Sequence, residues 1–201
     1  MTNQNKHPFF AEVIESSLDH YTAQSWEWKQ FPTFGSLVSI QDKELQVLGI
    51  VTGIQTGSMD PSRTPFAYQK TEEELEREQP QIFAFLKTTF TVQACGYIPA
   101  SSQIIFAIPP TPPKIHAFIS EASDAIATQF FADAQFLEVL YGFSNAIQNL
   151  DELLLAIIRT VKAKGLLSPR FLEEISHGFA LLSGNDYRRL KVFLNRVEQI
   201  R

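Results

Sequence analysis

Ten of the eleven prolines lie before residue 120, and Pro169 is the exception. The same point divides short β-branched runs from long stretches with helical spacing. Proline lacks the amide that ladders and helix interiors need, so its distribution constrains which segments can be long and regular. An α+β organisation follows: a strand-rich part over residues 1–120 and an α-helical region over 121–201 that ends in a helix hairpin.

In the first part, Gly35–Ile40 and Leu45–Thr52 are β-branched runs separated by the polar turn Gln41-Asp42-Lys43-Glu44, a hairpin signature. Phe90–Ile98 alternates until it meets Pro99, and Gln103–Ile108 runs into Pro109-Pro-Thr-Pro-Pro113, which cannot continue a ladder. Both are expected as strands. The stretch from Phe9 to Trp28 suits either one helical stripe (Phe10, Val13, Ile14, Leu18) or two strands broken at Ser16-Ser17 and Leu18-Asp19-His20, and the second reading is preferred. Trp26 and Trp28 then share one strand face, with core packing as the default and a stacking platform or subunit contact as the alternative. Thr71 with Glu74 reads as a capping box opening a short acidic helix near 71–88, which Pro80 restarts or kinks.

The second part carries clearer helix signals. Asn149 with Glu152 caps a helix whose Leu150, Leu153, Leu154, Ile157, Ile158 and Val161 share a face, and Lys162, Lys164 and Gly165 close it. Ser168-Pro169 opens another with Phe171, Ile175, Phe179 and Leu182, ending at Gly184. Asn185 or Asp186 caps the last, with Leu190, Phe193, Val197 and Ile200 at 3-4-3 spacing. A further helix is expected over Asp133–Gly142. Such faces require burial on each other, on the strands or on another subunit.

Charge narrows the classes of partner. The 17 bases and 22 acids give a net charge of −5, so a broad electrostatic grip on nucleic acid is disfavoured. Within the tail, Ser120–Ile158 holds six acids and no Lys or Arg, whereas Arg159–Arg201 holds nine bases against four acids. A solvated face partly neutralised by its acidic neighbour is the simplest reading, and a contact surface using Arg188, Arg189 and Arg196 is the alternative. The longest apolar run, Leu153–Ile158, falls far short of the roughly 20 residues that cross a bilayer, so no membrane insertion is expected. No secretory or transit signal is read at the start of the chain. The single cysteine, Cys95, fits a reducing compartment, and the expected location is cytoplasmic.

Several ordered segments carry a resemblance: Ala11–Ser17, Thr22-Ala-Gln24, Phe34–Val38, Thr56–Arg63, Lys70–Leu75 and Pro109–Phe118. Together they resemble the HAS-barrel, the small N-terminal barrel of HerA-type DNA-translocating ATPases and of the rotary ATP-synthase α and β subunits. The resemblance covers roughly residues 8 to 120. It implies a small closed β-barrel of about six strands that sits as a collar on hexameric motors and helps subunits assemble. The sequence departs from the motors at one point: no Gly-x-x-x-x-Gly-Lys string followed by Ser or Thr occurs, and the evenly spaced Gly49, Gly53 and Gly57 precede no Lys-Ser or Lys-Thr pair. The roughly 80 residues after the barrel leave no room for an ATPase core, so a collar without its motor is expected.

Catalytic chemistry finds little footing. Cys95 sits in an expected strand, and His7, His20, His116 and His177 are scattered without metal-ligand spacing, so no catalytic, cofactor or metal site is assigned. Glu72, Glu73, Glu74, Glu76 and Glu78 read as a solvated helix start rather than an acid/base pair. Ser58, Asp60 and Arg63 lie in one loop suited to an anion or a partner's backbone, although Asp-Pro is also an ordinary turn former. The favoured expectation is a non-enzymatic protein-interaction and assembly module whose partner is a hexameric ATPase or a copy of itself. A nucleic-acid-binding barrel accessory to a DNA-processing machine is the second reading, using Trp26, Trp28 or the terminal bases. An enzyme is the third and least supported.

Overall fold

A computed structural model describes residues 8–42, 45–60, 62, 65–100, 103–132 and 134–201. Six strands, β1 (Phe9–Ser16), β2 (His20–Ser25), β3 (Leu37–Gln41), β4 (Leu45–Ser58), β5 (Leu86–Pro99) and β6 (Phe118–Glu121), close an antiparallel barrel in the order β1-β2-β5-β4-β3-β6. Two short helices, α1 (Glu72–Glu78) and α2 (Gln81–Ala84), interrupt it between β4 and β5. Helices α3 (Asp124–Ala132), α4 (Phe136–Gly142), α5 (Leu150–Ala163), α6 (Pro169–Ser183) and α7 (Tyr187–Ile200) follow. The α+β architecture of a closed barrel followed by helices is as the sequence implies.

Strand alternation sorts the barrel wall into two faces. Val47 and Val51 of β4, Val38 and Ile40 of β3, and Phe90, Val92 and Ala94 of β5 fill the lumen with Phe10, Val13, Tyr21 and Ile119. Leu48 and Ile50, one residue out of phase, and Leu37 of β3 point outward into the helical core. Cys95 joins them because the register shifts by one residue opposite Leu48 and Gly49, leaving Cys95 as the extra residue of a bulge. That outer core is rich in aromatic rings: Phe130, Phe131, Phe136 and Phe171 contact one another at centroid distances from 4.9 to 6.2 Å.

Gly35 fixes how closely the helices sit on the barrel. Its φ of +81° is open to glycine, and a Cβ there would fall 2.8 Å from the Ala156 Cβ and 2.9 Å from the Ile157 amide nitrogen of α5. The Gly35 amide also donates to the Val51 carbonyl, so one turn joins β4 and α5.

The helix ends follow the sequence signals. Thr71 and Glu74 form the reciprocal capping box, Asn149 accepts from the Glu152 amide, Ser168 from Phe171 and Asp186 from Arg189. The stripe of α7 is buried within the chain: Phe193 stacks on Phe179 of α6 at 3.9 Å, and Val197 is covered.

Other expectations are corrected. Gln103–Ile108 is not a strand, because only Ile105 bridges β5, at Tyr97, while Ile104 and Phe106 turn to the helices, where Phe106 meets Phe130 at 5.4 Å. The sixth strand is Phe118–Glu121, four residues too short to announce a period. The helix near 71–88 restarts after Pro80 as expected, giving two helices, but the insertion ends sooner, because Leu86, Lys87 and Thr88 belong to β5. Strand β2 ends at Ser25, so Trp26 and Trp28 do not share a strand face. Helix α3 was not foreseen, and the helix expected from Asp133 begins at Phe136, with Asp133 itself outside the described residues, as are Lys43, Glu44 and His7.

Candidate functional site

The long strands β4 and β5 extend past the rest of the barrel wall, and the loop after β4 carries the first group of candidate residues. Ser58 ends β4, and its Oγ accepts from the Asp60 amide at 3.1 Å. Asp60 Oδ1 in turn accepts from the Ser62 amide at 2.9 Å and the Ser62 hydroxyl at 2.6 Å, an Asx-turn. The Ser62 hydroxyl, followed by its amide, holds the Asp60 carboxyl below the usual carboxylate range. The loop therefore keeps a charged, turn-forming aspartate at the barrel rim. Arg63 lies outside the described residues. Beside this loop the outer wall forms an open cleft of about 430 Å³ lined by Glu15, Thr22, Gln55, Lys87 and Thr89.

The second group lies on α7. Arg189 grips Asp151 of α5 with Nε at 3.0 Å and Nη2 at 2.5 Å, and its guanidinium lies over the Phe179 ring at 5.3 Å. Arg196 makes the equivalent two-pronged contact with Glu152, with Nη2 to Oε2 at 2.8 Å. Arg196 thereby holds the Glu152 carboxyl below its usual range. Arg188 shares a shallow cleft of about 270 Å³ with Arg189, Val192 and Arg196. Two of the three arginines thus match the acids at the start of α5, where helix and carboxylate are favourably placed. The acidic and basic halves of the tail, uneven in sequence, meet across one helix pair.

Two aromatic groupings were not separated by sequence reasoning. Trp26 packs edge-on against Phe118 at 5.4 Å and donates its indole N–H to Glu12 at 2.9 Å, while His116 Nδ1 lies 3.2 Å from the other Glu12 oxygen. Trp26 and Phe118 remain 47% and 46% exposed, so this outer wall presents apolar rings to solvent. Trp28 instead stacks on Phe83 of α2 at 5.5 Å, with the Lys29 ammonium 5.1 Å from its centroid. Lys29 also pairs with Glu72 and Glu76, which pins α1 to the loop after β2. These pairings depend on loops meeting in space, which no local spacing reveals.

Cys95 is fully buried, and burial pushes its thiol up to about 12. That is the reverse of an activated nucleophile. Among the described residues no three His, Cys, Asp or Glu side chains converge as a metal site, and no helix is long and apolar enough to cross a membrane.

The HAS barrel domain profile matches residues 10–119, from the second residue of β1 into β6, so the match and the closed barrel coincide. The chain belongs to the HAS-barrel family. No curated protein matches this sequence. The helices α3–α7 lie beyond the matched segment and rest against the outer wall of the HAS barrel. Of the candidate residues, Ser58 and Asp60 sit on the HAS barrel and Arg188, Arg189 and Arg196 on the added helices. The chain thus has a barrel module of the HerA and ATP-synthase type.

Proposed function

We propose that this protein is a non-enzymatic interaction and assembly module, a HAS barrel that docks on the collar of a hexameric ATPase or assembles with copies of itself. The observation that carries this reading is the HAS-barrel match over residues 10–119, which reaches all six strands of the closed barrel. In the proteins the sequence resembles, such a barrel serves as a collar for assembly. The exposed Trp26 and Phe118 pair and the Ser58–Asp60 loop supply contact chemistry on the barrel, and Arg188 supplies it on α7. Nucleic-acid binding has weaker support, because Arg189 and Arg196 already spend their forks on Asp151 and Glu152 rather than on phosphates.

The test is the solution mass of the purified chain together with what co-purifies from native lysate. An ATPase recovered in fixed proportion, or a ring of copies, supports the reading. A strict monomer that retains no ATPase and binds DNA in a salt-dependent manner overturns it. The same preparation is expected to show no ATP hydrolysis, and turnover that tracks the protein through gel filtration refutes the non-enzymatic part.

A further inference from the structure

A closed barrel has no free strand edges, yet this one leaves an edge where β4 outgrows its neighbour. On one side β4 pairs with β5 over its whole length, Leu45 to Ser58. On the other side it pairs with β3 only from Gln46 to Ile50, and Val51 exchanges two further bonds with Gly35 and Ser36. From Thr52 onward no strand of the described residues lies on that side. The Met59 amide donates to the Phe85 carbonyl at 2.7 Å, in register with the β4–β5 ladder. Antiparallel alternation then turns the amides and carbonyls of Gly53, Gln55 and Gly57 toward β5, and those of Ile54, Thr56 and Ser58 outward. None of these three residues has a main-chain partner on the outer side among the described residues.

The edge also lacks the usual devices against strand addition. Residues 52–58 read Thr-Gly-Ile-Gln-Thr-Gly-Ser, with neither charge nor proline. Thr56 is exposed, and a Cβ on Gly57 would meet nothing within 4 Å. Lys87 stands directly across the ladder from Gly57 and, among the described residues, is the one cation lining the cleft that Gly57 and Gln55 share with the carboxylates Glu15 and Asp60. Its ammonium has no ion-pair partner among the described residues. A strand laid along β4 would run about 10 Å from β5, two strand spacings. An acidic side chain opposite Gly57 would then reach Lys87 across a residue that offers no side chain to block it.

We propose that the outward edge at Ile54, Thr56 and Ser58 is a strand-addition site for an extended segment of a partner protein that carries an acidic residue opposite Gly57. Main-chain bonds supply the attachment and Lys87 supplies the selectivity. The inference rests on the interaction-module reading and names the surface and the chemistry of the partner segment.

The test uses the full chain and two end-capped fluorescent peptides, Thr-Val-Thr-Glu-Thr-Val-Thr and the same sequence with Lys in place of Glu. The acidic peptide is expected to bind saturably below about 1 mM, and about tenfold better than the basic one. Hydrogen exchange is expected to slow at the amides of Ile54, Thr56 and Ser58. Thr56→Pro removes one outward donor, leaves the main-chain bonds to β5 in place, loses the Thr56–Thr88 hydroxyl bond across the ladder, and should abolish both effects. Lys87→Glu alters an unpaired side chain and should invert the peptide preference, which keeps the proposal testable if the proline variant folds poorly. Absence of binding up to about 1 mM, protection at other amides, or an unchanged preference in Lys87→Glu overturns it. A concentration-dependent dimer that protects the same three amides without peptide also overturns it, by giving the edge to a second copy. Failure of the peptide leaves the solution mass and ATPase capture untouched, so it is distinguishable from failure of the assembly reading.

Discussion

The barrel lumen and the helical core are built from different materials. The lumen holds mostly small and β-branched side chains such as Val38, Ile40, Val47, Val51, Val92 and Ala94, placed by strand alternation around the rings of Phe10, Tyr21 and Phe90. The helical core is made mainly of aromatic rings and larger aliphatic side chains, and Leu37, Leu48, Ile50 and Cys95 from the outside of the barrel complete it. The lumen closes on itself, whereas the helices borrow a wall. Strands β3 and β4 therefore serve both cores, and damage to the shared wall should reach both regions.

The largest expected effect comes from removing the helices. A chain ending at Glu121 exposes Leu37, Leu48 and Ile50 to water, each worth about 1.5–3 kcal/mol when buried. Together these approach the total stability of a typical domain, about 5–15 kcal/mol. Such a chain is expected to aggregate on expression. A soluble, cooperatively melting barrel of that length would break the comparison by showing that the lumen suffices.

Gly35→Ala should have an intermediate effect. The added Cβ presses on the α5 backbone from a left-handed conformation, so strain and overpacking together cost about 2–5 kcal/mol. Both tryptophans lie beside the barrel and most helix lies in the tail, so tryptophan fluorescence and the 222 nm signal report different regions. The two probes are expected to shift together to lower temperature, as they would in a single cooperative unit. A shift in only one of them would separate the regions energetically.

The ion pairs that join α5 and α7 should contribute least. Glu152 is held below its usual range by Arg196, so its contribution is full above the ordinary glutamate range. The contribution disappears as pH falls through the lowered value. Both side chains are more than one third exposed, which keeps the pair within about 1 kcal/mol. Arg196→Ala is expected to lower the melting temperature slightly at neutral pH and to converge with the parent in acid. A constant difference across that range would show that the arginine stem acts by packing rather than by charge.

Helix boundaries in the tail were open to sequence reading because caps act locally. Asn149, Ser168 and Asp186 each bond an amide three residues on, so their spacing is also their mechanism. The cores of strands β1 to β5 were legible for a similar reason, since alternation and turn residues lie within a few positions of one another, but the extensions of β4 from Thr52 to Ser58 and of β5 back to Leu86 were not. Helix α3 and strand β6 were not, because four residues cannot display a period and α3 is apolar on more than one side. The site divided in the same way: the Asp60 turn is written in its own loop, whereas the pairing of Arg189 and Arg196 with Asp151 and Glu152 spans 38 and 44 residues.

The sequence by itself determined the order of a barrel followed by helices, the HAS-barrel resemblance and the caps, all of which rest on interactions between near neighbours. Tertiary structure alone decided that Ile105 would bridge instead of starting a strand, that Gly35 would seat the helices on the barrel, and that β4 would outrun β3 and leave its edge open. Each depends on which surfaces meet after the chain closes, and the free energy of such meetings is set by distance in space rather than by separation along the chain.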